Sequence, residues 1–227
     1  VALAQLGFIV VNFGHRGGSP QRNHYYHSYG YDDLRDYPLA DDKYGIEQLA
    51  DIYPFIDINR VGIYGHSGGG FMSTAALLSY PDFYDVAVSS AGNHDNNIYN
   101  QWWGETHDGV EQVEKKVKLK EGETGDSVQI SFKAGIEKNQ DLARNLKGYL
   151  LLVHGDIDNN VHPGNTIRVA DALIKANKRF DLMIMPGQRH GFGDYSVYFE
   201  RLMWYYFAEH LLYDYRTNVD LYDYMGK

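Results

Sequence analysis

The chain has 227 residues, a formal net charge of −9 and no cysteine. That length suits one domain with a sizeable core. The missing cysteine excludes disulfides, a thiolate nucleophile and Cys-based zinc sites, and the acidic balance without a basic stripe argues against a nucleic-acid partner.

Val1 to Gly7 reads as the last turn of a helix, with Leu3 and Leu6 on one side and Gly7 as its C-terminal stop. There is no initiator Met and no basic n-region of a signal peptide, so the chain is expected to open partway through a domain. Phe8-Ile9-Val10-Val11-Asn12-Phe13 is a short apolar run rich in β-branched residues and predicts a buried strand. Gly14 to Asp33, rich in Gly, His, Tyr, Asn and Ser, predicts a long surface loop. The apolar spacing from Leu39 to Tyr53 predicts a helix.

Val61-Gly62-Ile63-Tyr64 follows a polar turn and predicts a second buried strand. A helix over Gly68 to Ser79, stopped by Pro81, and a strand over Val86 to Ser89 come next. Ala91 to Gly104 reads as irregular and aromatic. Two alternating runs, Val117 to Lys120 and Val128 to Phe132, flank the turn-like Glu121 to Asp126; they predict a β-hairpin inserted at about 113–133. A helical stretch over Asn139 to Leu146, a strand over Tyr149 to Val153, a Pro-started helix over Pro163 to Asn177, a strand over Phe180 to Met185 and a helix over Tyr195 to Leu211 complete the chain. Alternating strands and helices predict an α/β fold, a mainly parallel sheet flanked by helices. No apolar run approaches the roughly 20 residues of a transmembrane helix.

The chemistry concentrates at three places. Gly65-His66-Ser67-Gly68-Gly69 has the G-x-S-x-G pattern between a predicted strand and a predicted helix. There a sharp turn presents a serine hydroxyl at its apex. A hydroxyl is a weak nucleophile until a base takes its proton and donors await the oxyanion. The N–H of Gly68, at a helix N-terminus, suits that donor role. Glycines at 65 and 69 are expected because the turn leaves no space for Cβ atoms. No G-x-G-x-x-G is present, which argues against a dinucleotide site.

A base and an orienting acid should follow later strands in the order Ser, Asp, His. After Tyr149 to Val153 comes His154-Gly155-Asp156-Ile157-Asp158-Asn159-Asn160-Val161-His162, and after Phe180 to Met185 comes His190. His190 is the expected general base. Asp158 is preferred over Asp156 as its partner, with Asp156 a turn cap. His66 is expected to pack sideways, and His154 and His162 to be hydrogen-bonded structural groups. No H-E-x-x-H or comparable ligand spacing occurs, so no metal or cofactor is expected.

Three segments, Gly65 to Gly70, His154 to His162 and Arg189-His190-Gly191, resemble the catalytic domain of prolyl oligopeptidase-type serine peptidases, most closely the dipeptidyl peptidase IV branch. Asn12-Phe13-Gly14-His15-Arg16-Gly17-Gly18 is similar to that family's strand-then-Arg-Gly turn. The resemblance implies an α/β-hydrolase fold with its early strands outside this chain, including strand 3 and the tyrosine-bearing loop after it. It implies Ser67 as nucleophile, Asp158 as orienting acid, His190 as base and Gly68 as oxyanion donor. Asn160 matches a residue that holds the substrate's backbone carbonyl. Tyr99 falls near a tyrosine of the pocket for a proline-like side chain, whose second tyrosine position falls within Asn93 to Asn97, and Trp102 and Trp103 are alternative pocket walls.

A peptide substrate, an N-terminal β-propeller, a homodimer and an exported location are implied as well. On the residues alone, an esterase on the same fold and a non-catalytic binding module stay open beside the peptidase, since fold does not fix substrate.

Overall fold

The computed structural model describes residues 2–19, 21–117, 127–133 and 135–216. In chain order the elements are α1 (Ala2–Gln5), α2 (His24–His27), α3 (Leu39–Ile52), β1 (Gly62–His66), α4 (Gly68–Ser79), β2 (Val86–Ser90), α5 (Gln101–Asp108), β3 (Glu111–Val117), β4 (Ser127–Lys133), a 3₁₀ turn (Asn139–Asn145), β5 (Tyr149–Gly155), α6 (Gly164–Lys175), β6 (Asp181–Met185), a second 3₁₀ turn (Gly193–Tyr195) and α7 (Ser196–Leu212). Gly7 has φ +100, the left-handed stop expected after the first helical turn.

β1, β2, β5 and β6 form one sheet in the order β1-β2-β5-β6, every pairing parallel. The register pairs His66 with Ser90, Ser90 with Val153, and Gly155 with Met185. The strands therefore end near one level, and the four loops that follow them converge on one edge of the sheet. In open α/β sheets ligands bind at that edge.

Alternation along each strand sends successive side chains to opposite faces. Ala87, Leu150 and Leu152 meet Ala75, Ala76 and Leu78 of α4, Val169 and Leu173 of α6, and Leu39 of α3. Val86, Val88, Leu151 and Val153 meet Met203, Tyr206, Phe207 and Leu211 of α7, and Leu3 of α1. Leu150, Leu152 and Leu173 are fully buried, each worth about 1.5–3 kcal/mol of burial. The two cores clamp β2 and β5 and make them a rigid base for the loops at their ends.

Three expectations need correction or extension. Phe8–Phe13 forms no regular element and joins no ladder among the described residues, and Ile9, Val10 and Val11 are 52%, 46% and 41% exposed. Among the described residues β1 pairs only with β2. A cleft of about 730 Å³ runs between the two, lined on one side by Phe8–Phe13 and on the other by Val61–Tyr64. An apolar run becomes a strand only when a neighbouring strand takes up its N–H and C=O groups, and among the described residues no strand pairs with this one.

The supposedly irregular stretch after β2 holds the short helix α5, whose start is set by Asn100: its side chain accepts from Trp102 N at 3.1 Å. Asn139–Asn145 is a 3₁₀ turn rather than an α-helix. β3 and β4 pair antiparallel in a separate two-stranded sheet, Val117 opposite Ser127. Of the predicted hairpin, Lys118 to Asp126 lie outside the described residues, and the described first strand runs earlier than expected, over Glu111–Val117.

Candidate active site

Ser67 stands between β1 and α4 with φ 59 and ψ −119. For a non-glycine residue this is strained backbone, costing on the order of 1–3 kcal/mol. The turn is held from both sides: Ser67 N donates to Ser90 O at 2.8 Å and Ser67 O accepts from Phe71 N at 3.0 Å. A Cβ on Gly65 would fall 2.2 Å from Gly69 O, so that position tolerates only glycine. The expectation for Gly69 is corrected, because a Cβ there meets nothing within 4 Å. The crowded partner is Gly70, whose Cβ would fall 2.5 Å from Ser90 O. Close approach of α4 to the end of β2, not of α4 to β1 alone, sets the glycine requirement. Gly68 is the first residue of α4, where N–H groups lack intrahelical acceptors.

The loop after β6 brings His190 to Ser67. His190 Nε2 lies 3.0 Å from Ser67 Oγ, and His190 Nδ1 lies 2.7 Å from Asp158 Oδ2. The loop is seated by Phe192, 2% exposed and edge-on to both His66 and Phe199. It also passes so near β5 that a Cβ on Gly155 would be 2.2 Å from Gln188 O.

Asp158 is buried, and its Oδ1 accepts from Asn160 N at 2.9 Å and Val161 N at 3.0 Å. Burial alone would raise its pKa. The bonds from His190 and from the Asn160 and Val161 N–H groups outweigh burial and hold it below the usual carboxylate range. Asp156 is exposed and its Oδ1 accepts from Gly187 N at 2.6 Å, a cap on the neighbouring turn.

Tyr99 and Asn160 meet: Tyr99 Oη donates to Asn160 Oδ1 at 2.9 Å, across the edge of the site. Trp103 packs edge-on to Tyr99 with centroids 5.7 Å apart, whereas Trp102 is 70% exposed. His66 does pack sideways. Its ring lies 4.8 Å from that of His190, with Nδ1 2.9 Å from Ser90 Oγ, and burial together with the nearby His190 lowers its pKa. His162 is exposed and accepts from Gly164 N at 3.0 Å.

Sequence reasoning missed the anchor of the Tyr99 loop. Asn93, His94, Asp95 and Asn96 are each at most 2% exposed. Asp95 accepts from Arg168 at 2.7 Å, Gln140 at 2.8 Å and Asn97 Nδ2 at 2.9 Å, while its N–H donates to Asn165 Oδ1 at 2.9 Å. Burial would raise Asp95; the bonds from Asn97, Arg168 and Gln140 hold it below its ordinary value. The available signal was five polar residues in a row, Asn93 to Asn97, two residues after the end of β2. A buried carboxylate there demands partners, and α6 and the 3₁₀ turn supply them for Asp95.

A serine with a base at hydrogen-bond distance, and a buried carboxylate behind that base, can carry out acyl transfer. Comparison with known proteins gives the lineage. The model of the prolyl oligopeptidase family matches residues 1–213. This chain belongs to the prolyl oligopeptidase family.

Within the family it is similar to dipeptidyl peptidase 8 of Mus musculus, at 32% identity over 189 residues, covering 83% of this chain and 20% of the mouse protein. It is also similar to prolyl endopeptidase FAP of Mus musculus, at 26% identity over 185 residues, covering 82% and 22%. The chain thus spans about a fifth of the length of these curated relatives. Two solved structures share the fold. Porphyromonas gingivalis dipeptidyl peptidase 4 has a TM-score of 0.71 at 24% identity, over 87% of this chain and 26% of that one. Pyrococcus horikoshii acylaminoacyl peptidase has a TM-score of 0.68 at 19% identity, over 92% and 33%. The family's α/β-hydrolase fold, expected from the sequence, is the fold found. No helix among the described residues is long and apolar enough to cross a membrane.

Proposed function

We propose that this chain carries the catalytic centre of a serine-type peptidase that hydrolyses short peptides, releasing N-terminal dipeptides as the names of its relatives suggest. The observation that carries the reading is the relay of Asp158, His190 and Ser67 at 2.7 and 3.0 Å, in a chain of this family.

Ser67 Oγ attacks the scissile carbonyl and His190 Nε2 takes its proton. Asp158 fixes the other ring nitrogen as a donor and stabilises the imidazolium. The oxyanion receives the Gly68 N–H; one such donor is worth about 10²–10³ in rate. Collapse of the tetrahedral intermediate expels the amine, which takes the proton from His190, and water repeats the sequence on the acyl-enzyme.

Tyr99 donates to Asn160 Oδ1, so the Asn160 amide N–H groups are the donors assigned to the substrate's backbone carbonyl, and Tyr99 with Trp103 the wall assigned to the acyl side chain. The β-propeller, the homodimer and export rest on the family resemblance. Size-exclusion chromatography and cell fractionation of the full-length gene product test the last two.

The central test is labelling by a fluorophosphonate probe, which reacts with activated serines. Wild-type protein is expected to label, and Ser67→Ala to lose the label together with hydrolysis of Xaa-Pro amides. Label retained in Ser67→Ala would overturn the assignment.

A further inference from the structure

His154 is the penultimate residue of β5, fully buried, and has no step in the acyl-transfer sequence above. Its hydrogen bonds nevertheless fix its chemistry. Nε2 lies 2.9 Å from Val161 O, and a carbonyl oxygen only accepts. The proton must therefore sit on Nε2. Nδ1 lies 2.7 Å from Thr166 Oγ1, in the first turn of α6, and in the neutral ring it can only accept the Thr166 hydroxyl. Burial pushes the His154 pKa down, in keeping with a neutral ring.

The same Nε2 lies 3.2 Å from Asp158 Oδ2, the oxygen that also receives His190 Nδ1. Asn160 N and Val161 N donate to Oδ1 and His190 Nδ1 donates to Oδ2, and the edge of the His154 ring closes the remaining side of the carboxylate. The His154 ring thus ties together the end of β5, the far side of the acid loop at Val161, and α6. A side chain there needs a donor at one end, an acceptor at the other and a rigid plane between them.

We propose that His154, as the neutral Nε2–H tautomer, is a positioning residue that locks the Asp156–His162 loop and turns the Asp158 carboxylate toward His190. This rests on the peptidase reading for its effect on rate, but its tautomer and contacts can be read without any turnover.

The first measurement is ¹⁵N NMR of the histidine-labelled full chain, with the His154 signals assigned by their loss in His154→Phe or His154→Gln. The Nε2–H tautomer is expected at neutral pH. An Nδ1–H tautomer or an imidazolium would overturn the proposal even if the protein had no peptidase activity.

The second compares variants. His154→Phe keeps a buried ring and removes both bonds. It should lower kcat on the order of 10²-fold, the cost of misplacing a catalytic group, with KM within about twofold. His154→Gln keeps one donor and one acceptor and should recover most of kcat. Thr166→Val, which removes only the hydroxyl on Nδ1, should lower kcat by a smaller factor and covers the case in which the Phe variant does not fold. A Phe variant as fast as wild type, Phe and Gln variants equally slow, or an effect confined to KM would each overturn it. Loss of activity already in wild type would count against the peptidase reading and leave the tautomer result standing.

Discussion

Tyr149–Gly155 lies between two parallel partners, with Leu150, Leu152 and Val153 fully buried and His154 holding the acid loop at its end. Phe8–Phe13 is similarly apolar, yet it lies across a cleft from β1 with no ladder and with Ile9, Val10 and Val11 largely exposed. Burial of side chains and pairing of backbone are separate requirements, and only the first can be met by composition. Where both are met, the strand end becomes rigid enough to hold a carboxylate against a histidine. Where pairing fails, apolar residues stay at the surface and contribute little to the site.

The largest effect expected from this contrast lies at the end of β5. Asp158→Asn removes the acceptor that keeps His190 Nδ1 protonated, and the equivalent change in another serine protease costs about 10⁴ in kcat. Asp156→Asn, two residues earlier on the same loop, changes only an exposed cap on Gly187 and should alter kcat by less than about threefold. Steady-state kinetics of the two variants on one Xaa-Pro amide provide the check. Comparable losses from both would mean that the relay is not organised as the 2.7 Å contact implies.

Stability should show the same asymmetry on a smaller scale. Leu152→Ala empties a site packed on all sides and should cost about 2–5 kcal/mol. Val10→Ala trims a side chain 46% exposed and should stay within about 0.5 kcal/mol. Urea unfolding of both variants measures the difference. A Val10→Ala cost approaching that of Leu152→Ala would show that Phe8–Phe13 is buried in the protein in solution.

Most of the site could be read from local pattern. Ser67 sits in a five-residue motif, and Asp158 and His190 follow strands recognisable by their apolar runs. These are short-range features, and parallel strands of matched register carry them to one edge. What escaped depends on contacts between distant segments. Gly69 looks as constrained as Gly65, but the clash belongs to Gly70 because β2 passes there. Asn93 to Asn96 look like surface loop, yet they are buried, and Arg168, Gln140 and Asn165 reach Asp95 among them from other elements. Phe8–Phe13 reads as a strand by every local measure and has no ladder partner among the described residues. His154 could be seen to be structural, but its link to Asp158 needed the loop to fold back.

The smallest expected effect is a dependence of stability on pH to which the buried loop after β2 contributes. Phe8–Phe13 has no ionisable side chain. The loop after β2 has His94, fully buried, with Nδ1 3.0 Å from the Asn139 amide Nδ2, which donates to it. Burial, assisted by nearby His154, pushes its pKa down to about 3. In the unfolded chain the same ring titrates near ~6.5.

Between those values the unfolded state binds a proton that the native state refuses. Stability is then full above about 6.5 and falls with acid, at up to about 1.4 kcal/mol per pH unit for this one group. His154, whose pKa burial also lowers, adds to the slope in the same direction. Urea midpoints measured from pH 7 down to 5 should therefore decline, and His94→Gln should flatten the decline by up to that amount per unit. An unchanged slope in His94→Gln would mean that the loop opens to protonate His94 at little cost, and that the end of β2 is less rigid than the end of β5.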